Sequence, residues 1–259
     1  EMFGYMSGGY ARILDAFTQR LIDEGVDVQV DSATRLVQPT GFGTVMVESA
    51  DHSRTEFDKV VVTTPSPVIS KLCPGLSEQE HRQHNGLQYQ GIVCASALLK
   101  KPLADYYVTN ITESWVPFTA VIEMSTLVDR SELGGHSLVY LPKYVAPDDP
   151  LFEESDESIQ ERFITALEKM YPHFSREDLL EFRISRVRHV VSLTTLNYSN
   201  LLPSMETSLP GVFAVNSAHI ANGTLNVNET VKLAEDTVRD LLLKGQVASA
   251  ESQELLAEV

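Results

Sequence analysis

The chain has 259 residues and an ordinary apolar content, enough for one sizeable core or two modest ones. Its formal charge of −16 argues against non-specific nucleic-acid binding, and no apolar run reaches the ~18–20 residues that span a bilayer. The start of the chain lacks the charged, apolar and small-residue regions of a secretion signal, so a cytoplasmic protein is expected. Cys73 and Cys94 have no metal-ligand spacing and read as free buried thiols. Seven histidines give no pattern such as H-E-x-x-H, and no metal is expected.

Met2 to Tyr10 leads into a predicted helix over about Ala11 to Glu24, with Ile13, Leu14, Phe17, Leu21 and Ile22 at helical spacing and Gly25 as the stop. Val26 to Val30 alternates as a strand. Val45 to Val47 and Phe57 to Val62 read as further strands, with Gly41 and Gly43 at a turn. The second of these runs into Thr63, Thr64 and a Pro65 stop.

A polar helical patch, Ser77 to Asn85, precedes an apolar strand from Gly91 to Leu99. More strands are expected over Tyr106 to Ile111, Thr119 to Glu123 and His136 to Leu141. An acidic helix enters at Ser155 or Asp156 and runs to Met170, with Ile159, Phe163, Leu167 and Met170 on one face. Arg183 to Thr195 reads as a basic strand.

The most organised stretch lies near the end. A short apolar strand, Val212 to Val215, feeds a loop of small and amide residues from Asn216 to Asn226. A helix then starts at about Val227, with Val231, Leu233, Ala234 and Val238 on its apolar side. Asn226 or Asn228 serves as its N-cap, and Glu229 sits in the first turn, where the helix dipole favours negative charge. Such a unit aims free backbone N–H groups at one point and suits a phosphate or a carbonyl oxygen. An ordinary packed strand–loop–helix gives the same pattern.

This segment, with its Asn226-Val227-Asn228-Glu229-Thr230-Val231 helix start, resembles the C-terminal cofactor-binding segment of the flavin amine oxidase and protoporphyrinogen oxidase superfamily. Three earlier features are similar to that superfamily in the same order: Gly4-Tyr5 through Gly8-Gly9-Tyr10, the following helix and strand, and Asp58 to Pro65. The resemblance implies an α+β architecture: part of an FAD-binding lobe over 1–70, a substrate domain with a mixed sheet backed by helices over 71–203, and a C-terminal FAD segment over 204–245. A polar, acidic tail follows over 246–259.

By position, the resemblance implies FAD contacts at Ala33, Thr34, Thr64, Pro65, Asn216, Ser217, Asn226, Val227 and Asn228. It also offers Tyr89, Trp115, Tyr140 and Arg186 as candidates for facing a small-molecule substrate, although aromatic residues in a sheet are more often core. No Ser/His/Asp, Cys/His or paired-carboxylate set stands out, so no catalytic residue is named and the chemistry is left to the flavin.

One signature is missing. The superfamily anchors its dinucleotide on a G-x-G-x-x-G turn, and neither Ser7-Gly8-Gly9-Tyr10 nor Gly41-Phe42-Gly43-Thr44 fits it. The expectation is therefore a truncated portion of an FAD-dependent oxidoreductase. Its partner would be a missing N-terminal dinucleotide-binding half, and FAD would bind weakly or not at all to this portion alone. Two alternatives stay open. One is an isomerase resembling UDP-galactopyranose mutase, with Arg186 and Arg188 placed for a diphosphate. The other is a non-catalytic binding module on the same scaffold.

Overall fold

The computed structural model describes residues 5–243; the tail expected over 246–259 lies outside the described residues. In chain order the first elements are α1 (Gly9–Asp23), β1 (Thr34–Pro39), β2 (Val45–Ser49), β3 (Arg54–Phe57), β4 (Val60–Val62), α2 (Ser66–Leu72) and α3 (Glu78–Gly86). Then come β5 (Tyr89–Leu99), β6 (Val108–Asn110), β7 (Ala120–Glu123) and β8 (Ser137–Val145). The chain continues through α4 (Asp156–Met170), β9 (Leu179–Ser192), α5 (Tyr198–Leu201), β10 (Val212–Ala214) and α6 (Val227–Thr237). The result is the α+β class expected from the sequence.

Contacts divide the chain into two compact units: Glu1–Val30 with Tyr89–Val190, and Asp31–Gln88 with Val191–Val259. This division differs from the one drawn along the sequence, where 1–70 forms a single segment. Each unit is assembled from two distant stretches, which a shift in local composition does not reveal.

In the first unit, β6-β7-β8-β5-β9 form a five-stranded sheet. The pairs β6–β7, β7–β8 and β5–β8 run antiparallel. Along β5 the residues alternate between buried and half-buried, as a pleated strand with one covered face demands. Val93, Ala95, Ala97 and Leu99 pack with Ile159, Phe163, Ile164 and Leu167 of α4 in one core cluster. Each fully buried Leu, Ile or Phe there contributes about 1.5–3 kcal/mol. Ser155 caps α4 by accepting from the Ser158 amide at 3.3 Å. Gly91 is required by packing, because a Cβ there would lie 2.6 Å from Phe152 and 3.0 Å from two β9 carbonyl oxygens.

Helix α1 ends in a Schellman turn. Gly25, at φ 87°, donates its amide to Ile22 O (2.9 Å), and Val26 donates to Leu21 O (3.0 Å). The helix buries no residue, and its apolar stripe stays open, with Leu14 56% and Phe17 60% exposed. Val26 to Val30 is not a strand. Its alternation is present, but among the described residues it has no ladder partner, and Val30 is 81% exposed.

The second unit holds an antiparallel sheet, β1-β2-β3, and a parallel pair, β10-β4. The strand read over Phe57 to Val62 is in fact two. Phe57 pairs with Val45 in the first sheet, and Val60 pairs with Val212 in the second. Val37, Val45, Val62, Ile69, Val212 and Ala214 share one core cluster. Helix α3 begins at a capping box, with Ser77 and Glu80 each bonding the other's backbone. Glu80 also accepts from the Ser208 amide at 2.7 Å. Burial pushes the Glu80 carboxyl up, but the hydrogen bonds from Ser208 and Ser77 outweigh it and hold the pKa at about 2.

Candidate functional site

Strands β4 and β10 run side by side in the same direction, so their carboxyl ends open at one place. Val60 N donates to Gly211 O (2.9 Å), and Val215 N donates to Val62 O (3.0 Å). Thr64 and Pro65 leave one strand end, and Asn216 and Ser217 leave the other. Asn216 is buried. Its Nδ2 donates to Thr64 O at 2.9 Å and to Ser66 Oγ at 3.2 Å, while its Oδ1 accepts from Ala218 N at 2.9 Å. The amide is therefore fully used as a latch between segments about 150 residues apart.

Beside this latch the Thr64 hydroxyl oxygen is buried, with no hydrogen-bond partner among the described residues. Leaving it unpaired costs about 1–3 kcal/mol, so the junction has a polar atom that a bound group would satisfy. Ligands of open α/β sheets settle outside the carboxyl ends of strands. His219 lies one turn on. Burial lowers its pKa, and hydrogen bonds to the Asn216 and Pro203 backbones partly offset this. His84 is wholly buried, and neither of its ring nitrogens has a hydrogen-bond partner among the described residues. Burial, followed by nearby His219, brings its pKa down to about 4.

The other cofactor candidates lie elsewhere in the same unit. Ala33 is exposed and its carbonyl accepts from the Ala50 amide at 2.7 Å; Thr34 opens β1, also exposed. Asn226, rather than Asn228, caps α6, accepting from the Glu229 amide at 2.9 Å. Val227 and Asn228 are exposed in the first turn. A cleft of about 340 Å³ opens between the loop at His219 to Asn222 and the α6 face bearing Glu229, Lys232 and Asp236. The sequence reading missed this α6 face. Its signal was the spacing of those three charged residues along one side of the helix.

The four substrate candidates are not brought together. Tyr89 is buried and meets His189 edge-on at 5.3 Å. Trp115 is 41% exposed, with Lys169 Nζ 3.8 Å from its ring centroid. Arg186 pairs with Asp156 at 2.6 Å and donates to Glu154 O at 2.7 Å. Tyr140 sits half-buried in β8, opposite Ser96 and Ile122. Strand alternation puts Tyr89 and Tyr140 on opposite faces of the sheet. A cleft of about 640 Å³ coincides with none of these residues; it lies in the first unit beside Val116, Lys143, Val145 and Leu151.

No helix among the described residues is long and apolar enough to cross a membrane. No group of three or more His, Cys, Asp or Glu among them could hold a metal ion.

Comparison with known proteins agrees with this architecture. The fold is similar to a protoporphyrinogen oxidase-like protein of Exiguobacterium sp. 255-15, at TM-score 0.69 and 16% identity over 89% of this chain and 51% of that one. It is similar to an oxidoreductase from Methanosarcina mazei, at TM-score 0.60 and 17% identity over 82% and 50%. A putrescine oxidase bound to putrescine matches at TM-score 0.68 and 17% identity over 91% and 53%. The chain thus spans about half the length of the solved structures it matches. No curated protein matches it by sequence. The family model for flavin containing amine oxidoreductases, in contrast, matches residues 2–236. The chain belongs to that family.

Proposed function

We propose that this chain is the portion of an FAD-dependent oxidoreductase that follows the dinucleotide-binding half, and that the whole protein oxidises a small molecule by hydride transfer. The observation that carries the reading is the junction of β4 and β10. There Thr64, Pro65, Asn216 and Ser217 meet, and a buried Thr64 hydroxyl lacks a hydrogen-bond partner among the described residues. FAD, when bound, would supply the electron-accepting ring.

The residues of this chain orient and desolvate. Thr64 Oγ can donate or accept one hydrogen bond at the junction, and Asn216 fixes the spacing of the two strand ends. His219 has a lowered pKa and adds no positive charge near neutral pH. The remaining FAD contacts are assigned to Ala33, Thr34, Asn226, Val227 and Asn228. The pyrophosphate anchor is assigned to the N-terminal half of the parent polypeptide, and this chain alone is expected to hold FAD weakly.

A mutase-like reading needs cations free for a diphosphate. A UDP-galactopyranose mutase is similar to this chain in fold, at TM-score 0.60 and 14% identity over 75% and 42%. Arg186 and Arg188, however, are spent on Asp156 and Glu153.

The test is a visible absorbance spectrum of the full-length protein beside this chain, each after incubation with FAD. Flavin bands in the long form bear the reading out. If both stay colourless, the chain is better read as a binding module on a flavoenzyme scaffold.

A further inference from the structure

Along β8, Val139 and Leu141 are fully buried in the core cluster, and strand alternation puts Lys143 and Val145 on the same face. Here burial is only partial. Lys143 is half-buried and stands across from the fully buried Val93 of β5. Lys143 and Val145 form one side of the cleft of about 640 Å³. Val116 and Pro117, from the loop between β6 and β7, and Leu151, from the turn after β8, add apolar surface to it. The volume lies in the range of sites that take small organic ligands.

Five charged side chains line this cleft, and four of them are already engaged. Asp149 accepts from the Leu151 amide at 2.8 Å and so caps the turn that follows it. Glu153 pairs with Arg188. Glu154 pairs with Arg162 at 2.8 Å and accepts from the Ser158 hydroxyl at 2.6 Å. Lys143 is the fifth. Among the described residues its ammonium has neither a hydrogen bond nor an ion pair. Snorkelling explains a lysine stem lying on apolar surface. It does not explain a cleft in which every other charge has its partner. Three carboxylates are balanced there by Lys143, Arg162 and Arg188, so the free charge is positive and a single anion meets no net repulsion. An incoming ammonium would meet Lys143 as a like charge, and the carboxylates it could approach are already held by the Leu151 amide, Arg188 and Arg162.

We propose that this cleft binds a small amphipathic monocarboxylate, with the carboxylate on Lys143 and the hydrocarbon body over Val116, Val145 and Leu151. The pair is charge-assisted, and the body removes apolar surface from water. A second carboxylate on the ligand would set an uncompensated charge against Asp149, Glu153 and Glu154. The site lies wholly in the first unit and does not depend on flavin binding at the β4–β10 junction.

The experiment is calorimetric titration of the full-length protein with octanoate, octylammonium and suberate, the dicarboxylate of equal length. Octanoate is expected to bind at least about tenfold more tightly than either of the others. Lys143→Gln is expected to weaken octanoate about tenfold or more, whereas Lys143→Arg, which keeps the charge, holds it within about twofold. A second readout needs no variant. Octanoate should protect Lys143 from acetylation by acetic anhydride, read by peptide mass spectrometry, while Lys101, whose side chain is 73% exposed, reacts at an unchanged rate. Flavin content, read by absorbance, should be equal in the parent protein and in Lys143→Gln. Octylammonium or suberate binding as tightly as octanoate would overturn the proposal. So would an unchanged affinity in Lys143→Gln, a loss of flavin together with octanoate in that variant, or acetylation of Lys143 undiminished by octanoate. Colourless protein that still binds octanoate through Lys143 would sink the flavin reading alone.

Discussion

At the scale of single residues, the second unit carries two kinds of strain that pH can address. His84 is a base buried in its neutral form with a pKa of about 4. An unfolded imidazole, with an ordinary pKa near ~6.5, takes up a proton that the folded ring refuses. Stability from this group is therefore complete above about pH 6.5, falls as the pH drops towards about 4, and falls no further below that. The loss amounts to at most about 3 kcal/mol. His84→Leu should flatten the pH dependence of the urea midpoint between pH 7 and pH 5; an unchanged slope would count against this account. Glu48 behaves differently. Hydrogen bonds from Arg35 and His52 hold its carboxyl at about 2 despite burial, so its contribution is lost in a lower window, as the pH falls from about 4.5 through 2. None of this was visible beforehand. Of the two histidines in the polar helix α3, nothing in the sequence marks His84 as the buried one, and the Thr64 hydroxyl's lack of a partner among the described residues shows only in the assembled structure.

At the scale of elements, legibility followed how completely each element carried its own signals. Helix α4 was readable because its cap, Ser155, and its apolar face, Ile159 to Leu167, agree. Strand β5 was readable as a long apolar run. Strand β1 was not, because Arg35, Gln38 and Pro39 blur its alternation. Helix α2 was missed because it spans only seven residues and carries Pro67. Val26 to Val30 misled in the other direction: period-2 alternation is a property of the residues, whereas a strand is a property of a pair. Helix α6 gives a clean check. Asn226→Ala should cost about 1 kcal/mol by removing the cap, whereas Asn228→Ala should cost less than about 0.5 kcal/mol. Chemical denaturation of the two variants separates them, and equal losses would contradict the capping seen here.

At the scale of the whole molecule, the open stripe of α1 sets what a mutation can report. Phe17 is 60% exposed, so Phe17→Ser should change the stability of this chain by no more than about 0.5 kcal/mol. If the nucleotide-binding half of the proposed parent covers that stripe, the same change in the full-length protein should cost about 2–5 kcal/mol, as for a buried aromatic. Thermal melts of both forms decide it, and equal shifts would remove α1 from that interface. The sequence identified the family through motifs at both ends of the chain. It did not show that residues 31–88 and 191–259 build one body, because no local pattern records a partner that lies more than a hundred residues away.

The β4–β10 pair has a consequence for biosynthesis. Val60 to Val62 leaves the ribosome long before Val212 to Ala214 exists, and the pair cannot form until the intervening chain has been made. Through that interval β4 is a short, bare, valine-rich edge of the kind that recruits foreign strands. A stalled or prematurely terminated chain ending before Val212 would keep that edge permanently and would also lack Asn216. Translational pausing between Val62 and Val212 is thus a point at which this protein is exposed to aggregation.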